Sequence, residues 1–345
     1  MSSTNSASEA SSTKSACEGT VAPSSTDGIM EVYEYNFVSE IKKMSRLLEQ
    51  YNFVGMDTEF PGVVYSIQNY SQDFYYQSIK LNVDSLKLIQ VGITLSNSKG
   101  EKPEGIHTWQ FNLRFNYEKE PFNASSCELL TSCGVNFEKM SRKGIPYDLF
   151  GEYLTISGLA LNPDLTWICF HGSYDFAYLL KSLTNSPLPE TEQEFTELLS
   201  LYFPQIYDIK IMIKSNQNET FKQGSWGLNK LAQYLEVYRK GMTHQAGSDS
   251  ILTLDVFFTL LRKGYFHSEI IPSFKLINAN YQAELSSLKN IIFGIGLGAD
   301  EEETLSYTNI GIFKGFDYYE YPTKAINMNN NLSNYYSYAQ MGKLI

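Results

Sequence analysis

The chain has 345 residues, 43% of them hydrophobic, which is enough to bury a full core and excludes a wholly disordered protein; the length fits one large domain with tails or two small ones. A formal net charge of −11 argues against a long grip on nucleic acid, leaving either a different partner or a short nucleic-acid end held through metal ions by carboxylates. No run of about 18 apolar residues exists to span a membrane, the amino terminus lacks the apolar core of a secretory signal, and Cys17, Cys127, Cys133 and Cys169 lack zinc-type spacing and read as thiols of a reducing compartment.

Residues 1–29 are rich in Ser, Thr and Ala without hydrophobic period and read as a disordered tail. Val38 to Tyr51 then reads as a helix, with Ile41, Met44, Leu47 and Leu48 on one stripe. Phe53 to Phe60, Leu86 to Leu95 and Ile106 to Leu113 read as strands. The loop from Tyr65 to Gln77 is rich in Tyr, Ser and Gln, and a helical region covers roughly Ser125 to Gly158. Thr166 to His171 reads as a buried strand, followed by a helix with Ser173 as its N-cap, Asp175 in its first turn, and Phe176, Leu179, Leu180 and Leu183 inward. Further on, Phe195 to Phe203 is helical, Ile206 to Asp208 is a short strand, and helices cover Leu228 to Leu235 and Gly247 to Lys263. This alternation predicts an α/β domain over residues 30–300. The remainder, 301–345, is an acidic and then Asn- and Tyr-rich extension.

Three places carry chemistry. In Val54-Gly-Met-Asp57-Thr-Glu59, the two carboxylates are two apart on a strand and so share a face. Carboxylates that close repel each other, and a cation between them resolves the repulsion; a strand end facing water would also tolerate them. Asp175 sits at a helix amino terminus, whose dipole alone favours a carboxylate there. In His244-Gln-Ala-Gly-Ser-Asp249, the aspartate falls on the buried side of a helix with Leu252, Val256 and Leu260. A carboxylate there is costly unless paired or bound to metal. His244 precedes it by one to two turns, and imidazole suits a general base near neutral pH. Four carboxylates without a thiolate suit a hard cation, Mg²⁺ or Mn²⁺.

The order Asp-x-Glu, Asp, His-x4-Asp resembles the histidine-containing branch of the DEDD exonuclease superfamily. Longer blocks narrow the likeness: Met56-Asp-Thr-Glu-Phe-Pro-Gly-Val-Val64, Thr108-Trp-Gln-Phe-Asn112, Glu128-Leu-Leu-Thr131, Phe203-Pro-Gln-Ile-Tyr-Asp208 and His244-Gln-Ala-Gly-Ser-Asp-Ser-Ile-Leu-Thr253. Together, over about Met30 to Gly298, they are similar to the Caf/Pop-type deadenylases, nuclease subunits of the CCR–NOT complex. The resemblance implies an RNase H-like fold, with a mixed central sheet and helices on both faces. It implies 3′-to-5′ removal of messenger-RNA poly(A) tails, with release of 5′-AMP, in cytoplasm and nucleus. It further implies two divalent ions, with Asp57 bridging, Glu59 and Asp249 completing one site, Asp175 serving the other, and His244 as base. The expected partners are poly(A) RNA, a Not scaffold subunit and a second deadenylase. A catalytically inactive scaffold, or an exonuclease trimming other RNA or DNA ends, stays open as an alternative.

Family members carry Ser-Gly where this chain has Gly172-Ser173, which bears on how the helix holding Asp175 begins. Two features are candidates for substrate grip. Phe60 follows the carboxylate pair and is either core or an aromatic wedge against terminal bases, stacking being worth about 1–3 kcal/mol per base. Between Asp208 and His244, six basic residues, Lys222 among them, outnumber three acidic ones. That local excess makes a phosphate track or a solvated loop.

Overall fold

In the computed structural model, which describes residues 28–67, 74–267 and 283–295, six strands form one mixed sheet. They are β1 (Ile29–Val32), β2 (Phe53–Glu59), β3 (Gln90–Ser96), β4 (Thr108–Asn112), β5 (Thr166–Cys169) and β6 (Ile206–Asp208), in spatial order β1-β4-β3-β2-β5-β6. β3 runs antiparallel to both β2 and β4, while β1–β4, β2–β5 and β5–β6 are parallel. Every residue of β2 and β3 is buried, because helices cover both faces of the sheet. This is the mixed sheet expected of an RNase H-like fold.

The faces follow from the two-residue period. Val54 and Met56 enter a core shared with α1 (Glu34–Ser45), α2 (Phe74–Ser85), and, further along the chain, the helices covering Tyr147–Ile156 and Ser173–Thr184. Phe53 points the other way and packs on Phe257 and Phe258 of the long helix Ala246–Arg262. Two glycines let that helix sit close. A Cβ at Gly55 would lie 2.7 Å from the Ser250 carbonyl oxygen, and one at Gly92 would lie 1.9 Å from that of Ala246.

The helical stretch expected over Ser125 to Gly158 is three helices: α3 (Ala124–Ser132), α4 (Phe137–Lys143) and α5 (Tyr147–Ile156). Asn123 and Asn136 each accept a hydrogen bond from the first turn that follows, and Pro146 introduces the third. The remaining α-helices among the described residues are α6 (Ser173–Thr184), α7 (Glu192–Tyr202), α8 (Ile209–Ser215), α9 (Glu219–Lys222), α10 (Leu228–Tyr234) and α11 (Ala246–Arg262). The first helix begins four residues earlier than its apolar stripe suggested, since the Asn36 side chain accepts the Tyr33 N–H at 2.8 Å and fixes the start. Helix α2 overlaps the end of the loop read over Tyr65 to Gln77; its buried Tyr75, Ile79 and Val83 carry a four-residue spacing that would have revealed it. Strand β1 begins inside the segment read as an amino-terminal tail, whose residues 1–27 lie outside the described residues, as does the extension 301–345. Among the described residues no helix is long and apolar enough to cross a membrane.

His107 ties the sheet edge together. Its backbone N–H and that of Thr108 both donate to the Gly28 carbonyl at 3.1 Å, and its Nδ1 lies 2.8 Å from Thr108 Oγ1. Burial pushes the imidazole down to about 4 from 6.5, with Lys102 and Lys240 adding to the effect and Asp255 opposing it. The unfolded chain therefore takes up a proton near pH 6.5 that the folded chain refuses until near 4, so this group lowers stability as pH falls through that window. His107→Gln should lose less unfolding temperature between pH 7 and pH 4.5 than the native protein. An equal loss would assign the acid sensitivity elsewhere.

Candidate active site

Asp57 and Glu59 close strand β2 on the face covered by α11, and Asp249 comes down to meet them from the first turn of that helix. One oxygen from each lies within 4.8 Å of the others, and the three residues are 5%, 9% and 8% exposed. Three ionised carboxylates at that spacing and burial are strongly repulsive, and an all-oxygen set suits a hard divalent cation. Asp249 adds a second indication. Its Oδ1 accepts Arg239 Nη2 at 2.7 Å, while its Oδ2 is buried with no hydrogen-bond donor among the described residues. A buried acceptor left in that condition is costly, and a metal ion fits it.

Asp175 lies outside that 4.8 Å group, although next to it in the fold. The parallel pairing of β2 with β5 ends at Gly55 opposite Ile168, so beyond it the strand edge is open. Asp175, on the first turn of α6, takes over that edge: its Oδ1 accepts from the Thr58 N–H at 2.9 Å and from Thr58 Oγ1 at 2.8 Å. The carboxylate is thus anchored on the residue between Asp57 and Glu59. Ser173 is the first residue of α6 and not its N-cap; the capping position belongs to Gly172, without a side-chain hydrogen bond. Gly172 is dictated by packing, because a Cβ there would lie 2.5 Å from Cys169 Sγ. The reversed Gly-Ser pair therefore leaves Asp175 in the first turn.

A residue that sequence reasoning passed over holds this loop in place. Asp208, 1% exposed at the end of β6, accepts four backbone N–H groups: His171 at 2.8 Å, Gly172 at 3.0 Å, Lys210 at 2.9 Å and Phe293 at 3.1 Å. Burial pushes its carboxyl pKa up, and the four donors work against that rise. In the sequence Asp208 stood only as the close of a short apolar strand and of the block Phe203-Pro-Gln-Ile-Tyr-Asp208, neither of which gives it this role.

His244 lies just before α11 with φ of 55°, half-buried. Burial is the main cause that lowers its pKa; Asp249 draws it up and Arg239 pushes it down, for a net value below 6.5. The imidazole is then neutral near pH 7 and able to accept a proton. The next residue, Gln245, is locked by amide hydrogen bonds: its Oε1 accepts Gln110 Nε2 at 2.7 Å and its Nε2 donates to the Cys133 carbonyl at 2.8 Å. Gln110 Oε1 in turn accepts the Gly247 N–H at 2.8 Å, and Glu31 accepts from Gln110 and Asn112, both at 2.7 Å. This network seats the start of α11, with His244 and Asp249, on β4.

Of the two residues expected to grip substrate, Phe60 is turned into the core and Lys222 lies at the surface. Phe60 falls on the face opposite the carboxylates, 9% exposed, stacked on Tyr174 at 5.1 Å and packed on Tyr178 at 5.2 Å. Lys222 is exposed at the end of α9, with its ammonium 3.3 Å from Glu219. The basic segment is not a continuous track: Lys210 is buried, donating to the Trp226 carbonyl at 2.9 Å, and Arg239 is engaged with Asp249.

The chain matches the family model described as CAF1 family ribonuclease over residues 32–149 and 162–257. It is 44% identical over 245 residues to Poly(A) ribonuclease pop2 of Schizosaccharomyces pombe, spanning 70% of this chain and 71% of that protein. To CCR4-NOT transcription complex subunit 7 of Caenorhabditis elegans it is 42% identical over 241 residues, 69% of this chain and 77% of the relative. Among solved structures it is similar to S. pombe Pop2p in its Mg²⁺- and Mn²⁺-bound form, with a TM-score of 0.69 and 39% identity over 78% of this chain and all of that one. It is also similar to a chain in the structure of the yeast NOT1 MIF4G domain co-crystallized with CAF1, with a TM-score of 0.62 and 30% identity over 77% of this chain and 96% of that one.

Proposed function

Because the chain belongs to the CAF1 family of ribonucleases, we propose that it shortens messenger-RNA poly(A) tails from the 3′ end, releasing 5′-AMP. The observation that carries this reading is the meeting of Asp57, Glu59 and Asp249 within 4.8 Å, beside a histidine whose pKa is lowered. The relative named pop2 is a poly(A) ribonuclease, and its structural counterpart Pop2p holds Mg²⁺ and Mn²⁺.

In this reading Asp57, Glu59 and Asp249 would hold a divalent ion, and Asp175, anchored on Thr58 beside them, would serve a second together with Asp57. Bound ions of this kind supply Lewis-acid chemistry, acidifying water and offsetting charge on the phosphate. His244 takes the proton of the attacking water as the new oxygen–phosphorus bond forms and the bond to the 3′ oxygen breaks. Thr58 fixes the Asp175 carboxylate through two hydrogen bonds, and the Gln245 network fixes the approach of His244. The names of the worm subunit and of the NOT1–CAF1 structure support docking on a Not scaffold subunit. Pairing with a second deadenylase, and work in both cytoplasm and nucleus, complete the proposal.

The test is incubation with Mg²⁺ or Mn²⁺ and labelled RNAs ending in A, U or C tracts. A ladder shrinking by one nucleotide at a time, fastest on the A tract, is the expected result; no shortening of any tract would sink the reading. His244→Ala should lower kcat by about 10²–10⁴-fold while Mn²⁺ still binds. A loss smaller than about tenfold would mean that another group takes the proton.

A further inference from the structure

Arg239 lies ten residues before Asp249, in the segment between α10 and α11, and its guanidinium is held on three sides. Nη2 donates to Asp249 Oδ1 at 2.7 Å, and Nη1 donates to Ser248 Oγ at 3.0 Å. Nε donates to Asn229 Oδ1 at 3.1 Å, and Nη2 donates to the same oxygen. The arginine and aspartate side chains are only 16% and 11% exposed. Gly241, with φ of 78°, turns the intervening chain back, and Ser248 Oγ donates to the Lys240 carbonyl at 2.5 Å, closing the loop onto the first turn of α11.

Two features separate this pair from an ordinary ion pair and from a phosphate grip. A pair built for stability alone would leave neither carboxylate oxygen buried without a donor, yet Asp249 Oδ2 is in that state. A guanidinium built to take phosphate presents two parallel N–H groups to it. Here four of the five N–H donors already go to Asn229, Ser248 and Asp249, so no such fork remains.

We propose that Arg239 is a positioning residue of the metal centre: it clamps Oδ1 of Asp249, fixes the carboxylate in one orientation and leaves Oδ2 to a divalent cation shared with Asp57 and Glu59. Asn229, on α10, holds the arginine in turn. The inference rests on the reading of the three carboxylates as cation ligands. It also gives the residue a second effect, since the guanidinium offsets part of the carboxylate charge when no cation is bound.

Calorimetric titration of Mn²⁺ into the full chain without RNA tests it, on the native protein and on Arg239→Ala, Arg239→Lys and Asn229→Ala. Partners that orient metal ligands typically contribute about 10–100-fold in affinity, so Arg239→Ala should weaken Mn²⁺ binding by about that factor. Its activity should recover as Mn²⁺ is raised, with KM for an A-tract RNA at saturating Mn²⁺ unchanged. Lysine should restore part of the affinity, because it keeps the charge but not the planar fork. Native Mn²⁺ affinity in Arg239→Ala together with a raised KM for RNA would make the arginine a phosphate ligand and overturn the proposal. Should that variant fail to fold, Asn229→Ala decides, with a several-fold weaker Mn²⁺ affinity expected and an unchanged one overturning it. Failure of the native chain itself to bind Mn²⁺ would remove the metal reading, and this inference with it.

Discussion

Asp57→Asn should abolish RNA shortening and, in the absence of divalent cations, raise the unfolding temperature. The two effects have one cause. Asp57 is 5% exposed and lies in a group of three carboxylates whose oxygens are within 4.8 Å. Without a cation their mutual repulsion opposes folding, and removing one charge relieves it while keeping the shape of the side chain. Stabilising substitutions commonly return about 0.5–2 kcal/mol, and at this size 1 kcal/mol moves the unfolding temperature by roughly 2–4 °C. Activity should fall by more than the ~10²–10⁴-fold cost of losing a general base, because in the proposed mechanism Asp57 serves both ions. Mn²⁺ provides the decisive comparison. At a hundred times its dissociation constant a ligand stabilises the fold that binds it by about 2.7 kcal/mol, so Mn²⁺ should raise the unfolding temperature of the native chain and leave that of the variant nearly unmoved. A variant that is less stable without metal, or that Mn²⁺ stabilises as it does the native protein, would take Asp57 out of the cation site.

What could be read from the sequence depended on whether the relevant neighbours follow a short period. Asp57 and Glu59 were legible because two residues along a strand share a face, and Asp249 because a carboxylate on the apolar side of a helix demands a reason. The same parity, carried one step further, places Phe60 with Val54 and Met56 on the opposite face, where it stacks on Tyr174. Helix caps at Asn123 and Asn136 were equally available, and they divide what a hydrophobic count joins into one helical region. The anchoring role of Asp208 was not legible. Its partners are backbone N–H groups of residues 171, 172, 210 and 293, which leave no trace in side-chain pattern. Arg239 was hidden for a related reason: its surroundings in the sequence suggest a basic stretch, and only the fold shows the guanidinium turned onto Asp249 and Ser248. The local excess of positive charge between Asp208 and His244 therefore says little about a phosphate path, since buried Lys210 and Arg239 both serve the interior.

The position most exposed to damage carries no chemistry of its own. Gly92 is opposite Asp57 in the sheet, and a Cβ there would lie 1.9 Å from the Ala246 carbonyl oxygen, 2.1 Å from its carbon and 2.6 Å from the Gly247 nitrogen. All three atoms are backbone at the start of α11, so no side chain can swing aside and the helix end must lift. The Gln110 to Gly247 hydrogen bond would then lengthen, and Asp249, one turn further on, would move away from Asp57 and Glu59. Overpacking of a core usually costs about 1–3 kcal/mol and occasionally more. With backbone on the far side Gly92→Ala belongs at or above the top of that range, a fall of at least roughly 6–12 °C in unfolding temperature. Gly105→Ala is the control. Its φ of 75° also disfavours a side chain, but nothing among the described residues lies within 4 Å of the added carbon, so it should cost only the ~1–2 kcal/mol of a left-handed residue and keep native Mn²⁺ affinity. At a temperature where both variants are folded, Gly92→Ala should bind Mn²⁺ more weakly than Gly105→Ala and shorten RNA more slowly. Equal affinities would mean that the close seat of α11 on β3 does not set the distance between Asp249 and the strand carboxylates, and that the helix can lift without opening the site.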